Sequence, residues 1–134
     1  MELKLWQVDA FADKPFEGNP AAVVPLTAWL SDETMQSIAS ENNLSETAFF
    51  VPEAGKGAGH YQLRWFTPTC EVPLCGHATL ASAYVVFTHL EPKLNRVSFS
   101  TQSGVLTVDR SDAGLFEMAL PAYRAAPHPE AEEF

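Results

Sequence analysis

Positive charge is scarce in this chain: its 134 residues hold eight Lys and Arg against seventeen Asp and Glu, a formal net charge of −9. A nucleic-acid backbone is gripped by clustered Lys and Arg, and the eight here are scattered, so no nucleic-acid partner is expected. Part of the negative excess lies in the tail "PHPEAEEF", which has three Glu among its last five residues and reads as a solvated end. Long apolar runs are also missing. No stretch approaches the roughly 18 apolar residues of a membrane-spanning helix, so no membrane partner is expected. The opening "MELKLWQVDAF" carries Glu2 and Lys4 and has no apolar signal core, which points to a cytoplasmic location.

Cysteine is nearly absent. Cys70 and Cys75 are too few for a secreted disulfide framework. Their C-x4-C spacing departs from the C-x2-C pairs of structural zinc sites, which need four ligands. Cys70, Cys75 and His77 would supply three, and a fourth (His60, His89 or His128) would have to arrive by folding. The expectation is therefore no metal. Of seven glycines, three fall within five residues in "EAGKGAGH". That loop lacks the G-x4-G-K-[ST] pattern that cradles phosphate and no helix follows it, so it reads as a hairpin connection.

What is present suits one domain with one core: 46% of the residues are hydrophobic. "KLWQVDAF" and "PAAVVPL" read as strands, the second bounded by Pro20 and Pro25. Ser31 is placed as an N-cap, with Asp32 and Glu33 in a first turn that favours acids. Met35, Ile38 and Ala39 recur at helical spacing, predicting an amphipathic helix over 32–43. "ETAFFVP" and "YQLRWFT" are partner strands, with Tyr61, Leu63 and Trp65 on one face and Gln62, Arg64 and Phe66 on the other. Residues 76–90, "GHATLASAYVVFTHL", carry no Asp, Glu, Lys or Arg and predict a helix buried all round. "RVSFST", "GVLTVDR" and "LFEMALP" follow as strands joined by "QSG" and "SDAG". The fold class is α+β, a β-barrel-like sheet wrapped around a central buried helix, with no linker before about Pro121.

Three places could carry chemistry. At "LCGHAT" a helix opens near Gly76, whose missing side chain lets a ligand approach the first free N–H groups. That makes an anion site suited to a carboxylate or phosphate. Cys75 at the same mouth would have its pKa lowered by the helix dipole or by a protonated His77; the plainer reading is a small buried hydrophobe and a polar first-turn residue. In "NNLSETAFF", Glu46 stands at the start of an apolar strand beside Phe49 and Phe50, where desolvation would lift a carboxyl toward general acid/base use. The plainer reading is an exposed Glu beside a turn. In "EGNP", Asn19 is held extended by Pro20 and its amide could bond a substrate, or it is simply a turn residue.

"QVDAFADKPFEGNPAAVV", "MQSIASENNLSETAFF", "LRWFTPTCEV" and "LCGHATLASAYVVF", in that order and spacing, resemble the N-terminal motifs of the PhzF (phenazine-biosynthesis-like) isomerase/epimerase family, from about residue 6 to residue 120. The resemblance implies the diaminopimelate-epimerase fold, in which each of two lobes is a barrel around a helix. Residues 1–120 would be the N-terminal lobe and 121–134 a crossover or tail, the second lobe with its aspartate and second anion-binding helix end being absent. It implies chemistry without metal, flavin or nucleotide, such as moving a proton between ring carbons of a dihydro-hydroxyanthranilate. The glutamate of the family's "LSE" motif, the proton shuttle, falls on Glu46. Its assisting histidine falls on His77, its carboxylate-holding amides on Gly76 and His77, and its pocket asparagine on Asn19. Cys75 departs from the phenazine enzyme and matches the acid/base thiol of related amino-acid epimerases. The partners implied are a small carboxylate substrate and a homodimer mate or complementary second-lobe chain; the rival expectation is a non-catalytic half-lobe that binds a small acid or another protein.

Overall fold

The computed structural model describes residues 3–10, 19–73, 75–111 and 116–119. Strand β1 (Trp6–Ala10) pairs antiparallel with β2 (Asn19–Pro25), Trp6 opposite Val23 and Ala10 opposite Asn19. Helix α1 (Asp32–Asn42) then carries the chain across to β3 (Glu46–Pro52), which runs parallel to β2 with Glu46 opposite Ala21. The Ser31 Oγ accepts the Thr34 N–H at 3.1 Å, the predicted N-cap. Asn43 ends the helix at a left-handed φ of 52°, its N–H donating to the Ala39 carbonyl at 3.1 Å.

β3 turns back into antiparallel β4 (His60–Phe66) through the glycine-rich connection, where Gly55, Gly57 and Gly59 all sit at φ near 80°. Only glycine occupies that region freely, which is why the loop is rich in it. A two-residue strand, β5 (Glu71–Val72), lies against β4 and was not expected. Helix α2 (Gly76–Val85) follows and continues as a π-helical turn, Val86–Leu90, so the predicted helical span 76–90 is present with a wider last turn. β6 (Arg96–Thr101) pairs parallel with β4 and starts the antiparallel ladder to β7 (Gly104–Arg110) and β8 (Phe116–Ala119).

The strand order is β1-β2-β3-β4-β6-β7-β8, with β5 attached to β4. This mixed sheet curls as a half-barrel around α2, and α1 lies on its other side. The α+β class holds. The barrel-like wrap takes the form of a half-barrel: β1 and β8 are the ends of the order and do not pair with each other among the described residues.

The span 76–90 was expected to be buried all round; its last three residues, Thr88, His89 and Leu90, are exposed, and one line of α2 is not fully covered. His77, Leu80 and Tyr84, spaced three and four residues apart, are the partly covered side, and Tyr84 is 44% exposed. Ala78, Thr79, Ala81, Ser82, Ala83 and Val85 are buried against the sheet. Small side chains on that side let the strands approach closely.

Two cores result. Tyr61, Leu63, Trp65, Phe50, Phe99 and the α2 residues fill the concave side. Phe49, Phe66, Met35 and Ala39 fill the smaller one beneath α1. β3 is covered on both faces, which explains why Thr47 to Val51 is an unbroken buried run rather than an alternating one. The same geometry puts Phe66 on the face opposite Trp65, as its alternation predicts. At the end of the π-helical turn, the Arg110 guanidinium donates to the carbonyls of Pro92 (2.8 Å), Leu94 (2.7 Å) and Phe87 (3.4 Å) and lies 4.8 Å from the Phe87 ring centroid. A cation there suits the negative end of the helix. Among the described residues no helix is long and apolar enough to cross a membrane.

Candidate active site

Glu46 is the first residue of β3, and its place beside β2 is fixed by the parallel register with Ala21. α2 packs on β1, β2 and β3, so its N-terminus comes to rest beside that strand start. His77, the second residue of α2, thereby places Nε2 2.7 Å from Glu46 Oε1. Cys75, the N-cap, places Sγ 4.0 Å from the same Nε2. The Glu46 and His77 side chains keep 17% and 23% of their surface exposed, whereas Cys75 is buried. A carboxylate and an imidazole thus face the opening, with a thiol behind them.

The thiol does not behave as its position at a helix mouth suggested. Burial pushes its pKa from 9.0 up to about 12, and the Glu46 charge and hydrogen bond push the same way. The amides of Ala78 and His77 pull it down, as the dipole argument requires, but they do not outweigh burial. Cys75 makes no capping hydrogen bond through its side chain. At neutral pH it is a protonated thiol.

The first bond inside the helix runs from the Thr79 N–H to the Cys75 carbonyl at 3.1 Å, so the N–H groups of Gly76, His77 and Ala78 precede the intrahelical ladder. The buried Thr79 hydroxyl also donates to the Cys75 carbonyl at 2.8 Å, holding the mouth in shape. A Cβ on Gly76 would stand 3.3 Å from the Met118 Cε, so β8 walls one side of the mouth. Sequence reasoning missed both Thr79 and Met118. The signal for Thr79 was its i+4 spacing from the cap; for Met118 it was only an inward position in an alternating strand.

Glu46, His77, Cys75 and Gly76 are therefore gathered at one end of the sheet. Asn19 opens β2 two residues before Ala21, at that same end, but its side chain lies outside the described residues. Residues 121–134, with the expected crossover and His128, also lie outside them. Cys70 is not part of the group. It is exposed in the turn before β5, its Sγ 3.6 Å from the Thr67 hydroxyl. The ligand trio Cys70, Cys75 and His77 is thus not what the fold assembles. Glu46, Cys75 and His77 are, and their donor atoms lie within 4.8 Å of one another.

The chain is similar to proteins of one family. The family model described as phenazine biosynthesis-like protein (PhzC-PhzF) matches residues 8–133. A protein of Pseudomonas aeruginosa described as an uncharacterized isomerase is 57% identical over 127 residues, covering 95% of this chain and 47% of its own length. The human phenazine biosynthesis-like domain-containing protein is 44% identical over 131 residues, with coverage of 95% and 45%. Among solved structures, a PhzF-family protein of Enterococcus faecalis superposes with a TM-score of 0.75 at 50% identity, over 84% of this chain and 42% of that one. One from Bacillus anthracis gives 0.71 at 30% identity, over 88% and 40%. The chain spans about half the length of the relatives it matches.

Proposed function

The chain belongs to the phenazine biosynthesis-like (PhzC-PhzF) family, and on that premise we propose that it is one lobe of a cofactor-independent isomerase moving a proton at carbon in a small carboxylate-bearing substrate. The observation that carries this reading is the 2.7 Å contact between Glu46 and His77 at the mouth of α2. Glu46 is the general base and then the general acid. Its carboxylate takes a proton from an acidic C–H bond, the electron pair shifts into the substrate's conjugated system, and the proton returns at a neighbouring carbon. His77 holds the carboxylate in line through its ring N–H. The amides of Gly76 and His77 receive the substrate carboxylate and stabilise charge that develops near it. Cys75, protonated and set back from the opening, is a reserve proton donor rather than a nucleophile.

Glu46 and His77 remain partly open to solvent, and desolvation of the reacting groups calls for a second lobe over them. A second copy of this chain in a two-fold dimer, or a complementary chain, would supply it.

The test follows exchange of substrate protons with heavy water by proton NMR, using dihydro-hydroxyanthranilate as the probe. Glu46→Gln is expected to cut exchange by about 10²–10⁴-fold with folding retained, the usual worth of a positioned acid/base group. Exchange that persists in Glu46→Gln overturns the assignment of Glu46. Absence of exchange in the parent chain, with the probe bound equally by both forms, replaces the enzyme with a binding module.

A further inference from the structure

The cluster that would run proton transfer is also a set of soft and borderline metal donors. Cys75 and His77 are two residues apart at the rigid start of α2, and Glu46 faces them from the first residue of β3. The sulfur and nitrogen are 4.0 Å apart, the nitrogen and oxygen 2.7 Å apart, and all three donor atoms lie within 4.8 Å of one another. Tetrahedral zinc, with bonds of ~2.3 Å to sulfur and ~2.0–2.2 Å to nitrogen and oxygen, sets its donors roughly 3.3–3.6 Å apart. The nitrogen–oxygen pair must open from 2.7 Å and the wider separations, up to 4.8 Å, must close, by changes of up to roughly 1.2 Å shared between the side chains. Sulfur, imidazole and carboxylate together suit zinc rather than magnesium or calcium, which prefer oxygen alone.

We propose that Glu46, Cys75 and His77 bind one zinc-class divalent cation, with the fourth coordination position facing the opening. Binding replaces the Cys75 S–H bond with an S–metal bond and sends the thiol proton to solvent. The Glu46–His77 hydrogen bond opens, its proton moving to His77 Nδ1 or to solvent, and Nε2 and the carboxylate each donate a lone pair. The carboxylate and imidazole are then unavailable to a substrate, so the ion is a reversible inhibitor of any chemistry the pair performs. The inference rests on donor geometry and not on the isomerase reading. It is tested without substrate, so either can fail alone.

Cobalt(II) is the probe, added to metal-free chain and followed by absorbance, with zinc affinity measured by displacement. One equivalent is expected to raise a near-ultraviolet thiolate-to-cobalt band and visible bands of tetrahedral intensity, both lost on adding zinc. Cys75→Ser should remove the near-ultraviolet band, and His77→Gln and Glu46→Gln should each weaken zinc at least about tenfold, the low end of what even outer-shell partners of a metal are worth. Cys70→Ser, the exposed thiol, should change nothing. His77→Gln alters a partly exposed side chain and carries the test should Cys75→Ser not fold. No band with stoichiometric cobalt, a band that survives Cys75→Ser, or zinc affinity unchanged in His77→Gln and Glu46→Gln would each overturn the proposal.

Discussion

Cys75 and Cys70 differ in what surrounds them, and that difference is measurable. Cys70 is exposed, and Cys75 is buried with its pKa pushed up to about 12. The thiolate is the reactive form, so iodoacetamide at neutral pH should label Cys70 promptly and Cys75 only when the chain unfolds; peptide mass spectrometry distinguishes them. The same shift fixes a sign for stability. In the unfolded chain the thiol titrates near 9.0, and in the folded chain near about 12. Between those values the unfolded state holds fewer protons, so stability falls as pH rises through that window and is unaffected by this group below it. Denaturation midpoints measured across pH 9 to 12 should decline less steeply in Cys75→Ser than in the parent. Glu46 shows a complementary lesson. Its neighbours in sequence suggested a lone carboxylate beside aromatics, but its partner is 31 residues further along and no local pattern joins the two.

At the scale of elements, Arg110 is the side chain that ties β7 to the end of the central helix. Its guanidinium bonds one carbonyl of the helix end, Phe87, and two of the connection that follows, Pro92 and Leu94, and lies against the Phe87 ring. Arg110→Ala should cost about 1.5–3 kcal/mol, the range for a hydrogen bond to a charged group, read as a lower urea midpoint at unchanged slope. Arg110→Lys should recover only part, since an ammonium lacks the planar fork. The helices were legible because their signals are local: Ser31 caps α1 and Met35, Ile38 and Ala39 repeat on one face. Strand positions were legible from alternation and turn residues. β5 was not, being two residues long and defined only by pairing with Trp65 and Phe66. The stripe of His77, Leu80 and Tyr84 escaped notice because all-round apolarity says nothing about which side lacks a neighbour.

Across the whole molecule, protection should follow position in the sheet. β3 has a strand on each side and a core on each face, while β1 and β8 end the strand order. Native-state hydrogen exchange is expected to release amides of β1 and β8 first and those of Ala48 to Phe50 last, near the global unfolding limit. Uniform exchange across the sheet would contradict the two-sided burial of β3. Topology was only partly readable in advance, because the parallel pairs β2–β3 and β4–β6 depend on crossovers, and sequence alternation does not distinguish parallel from antiparallel neighbours. The separation of Glu46 from His77 also has a meaning during synthesis. The ribosome delivers the glutamate first, and at about 5–20 residues per second the histidine follows roughly two to six seconds later. Until β2 and β3 are laid side by side and α2 docks on them, the nascent chain carries a solitary carboxylate with no imidazole to hold it. The reactive pair comes into being only when the polypeptide is correctly assembled.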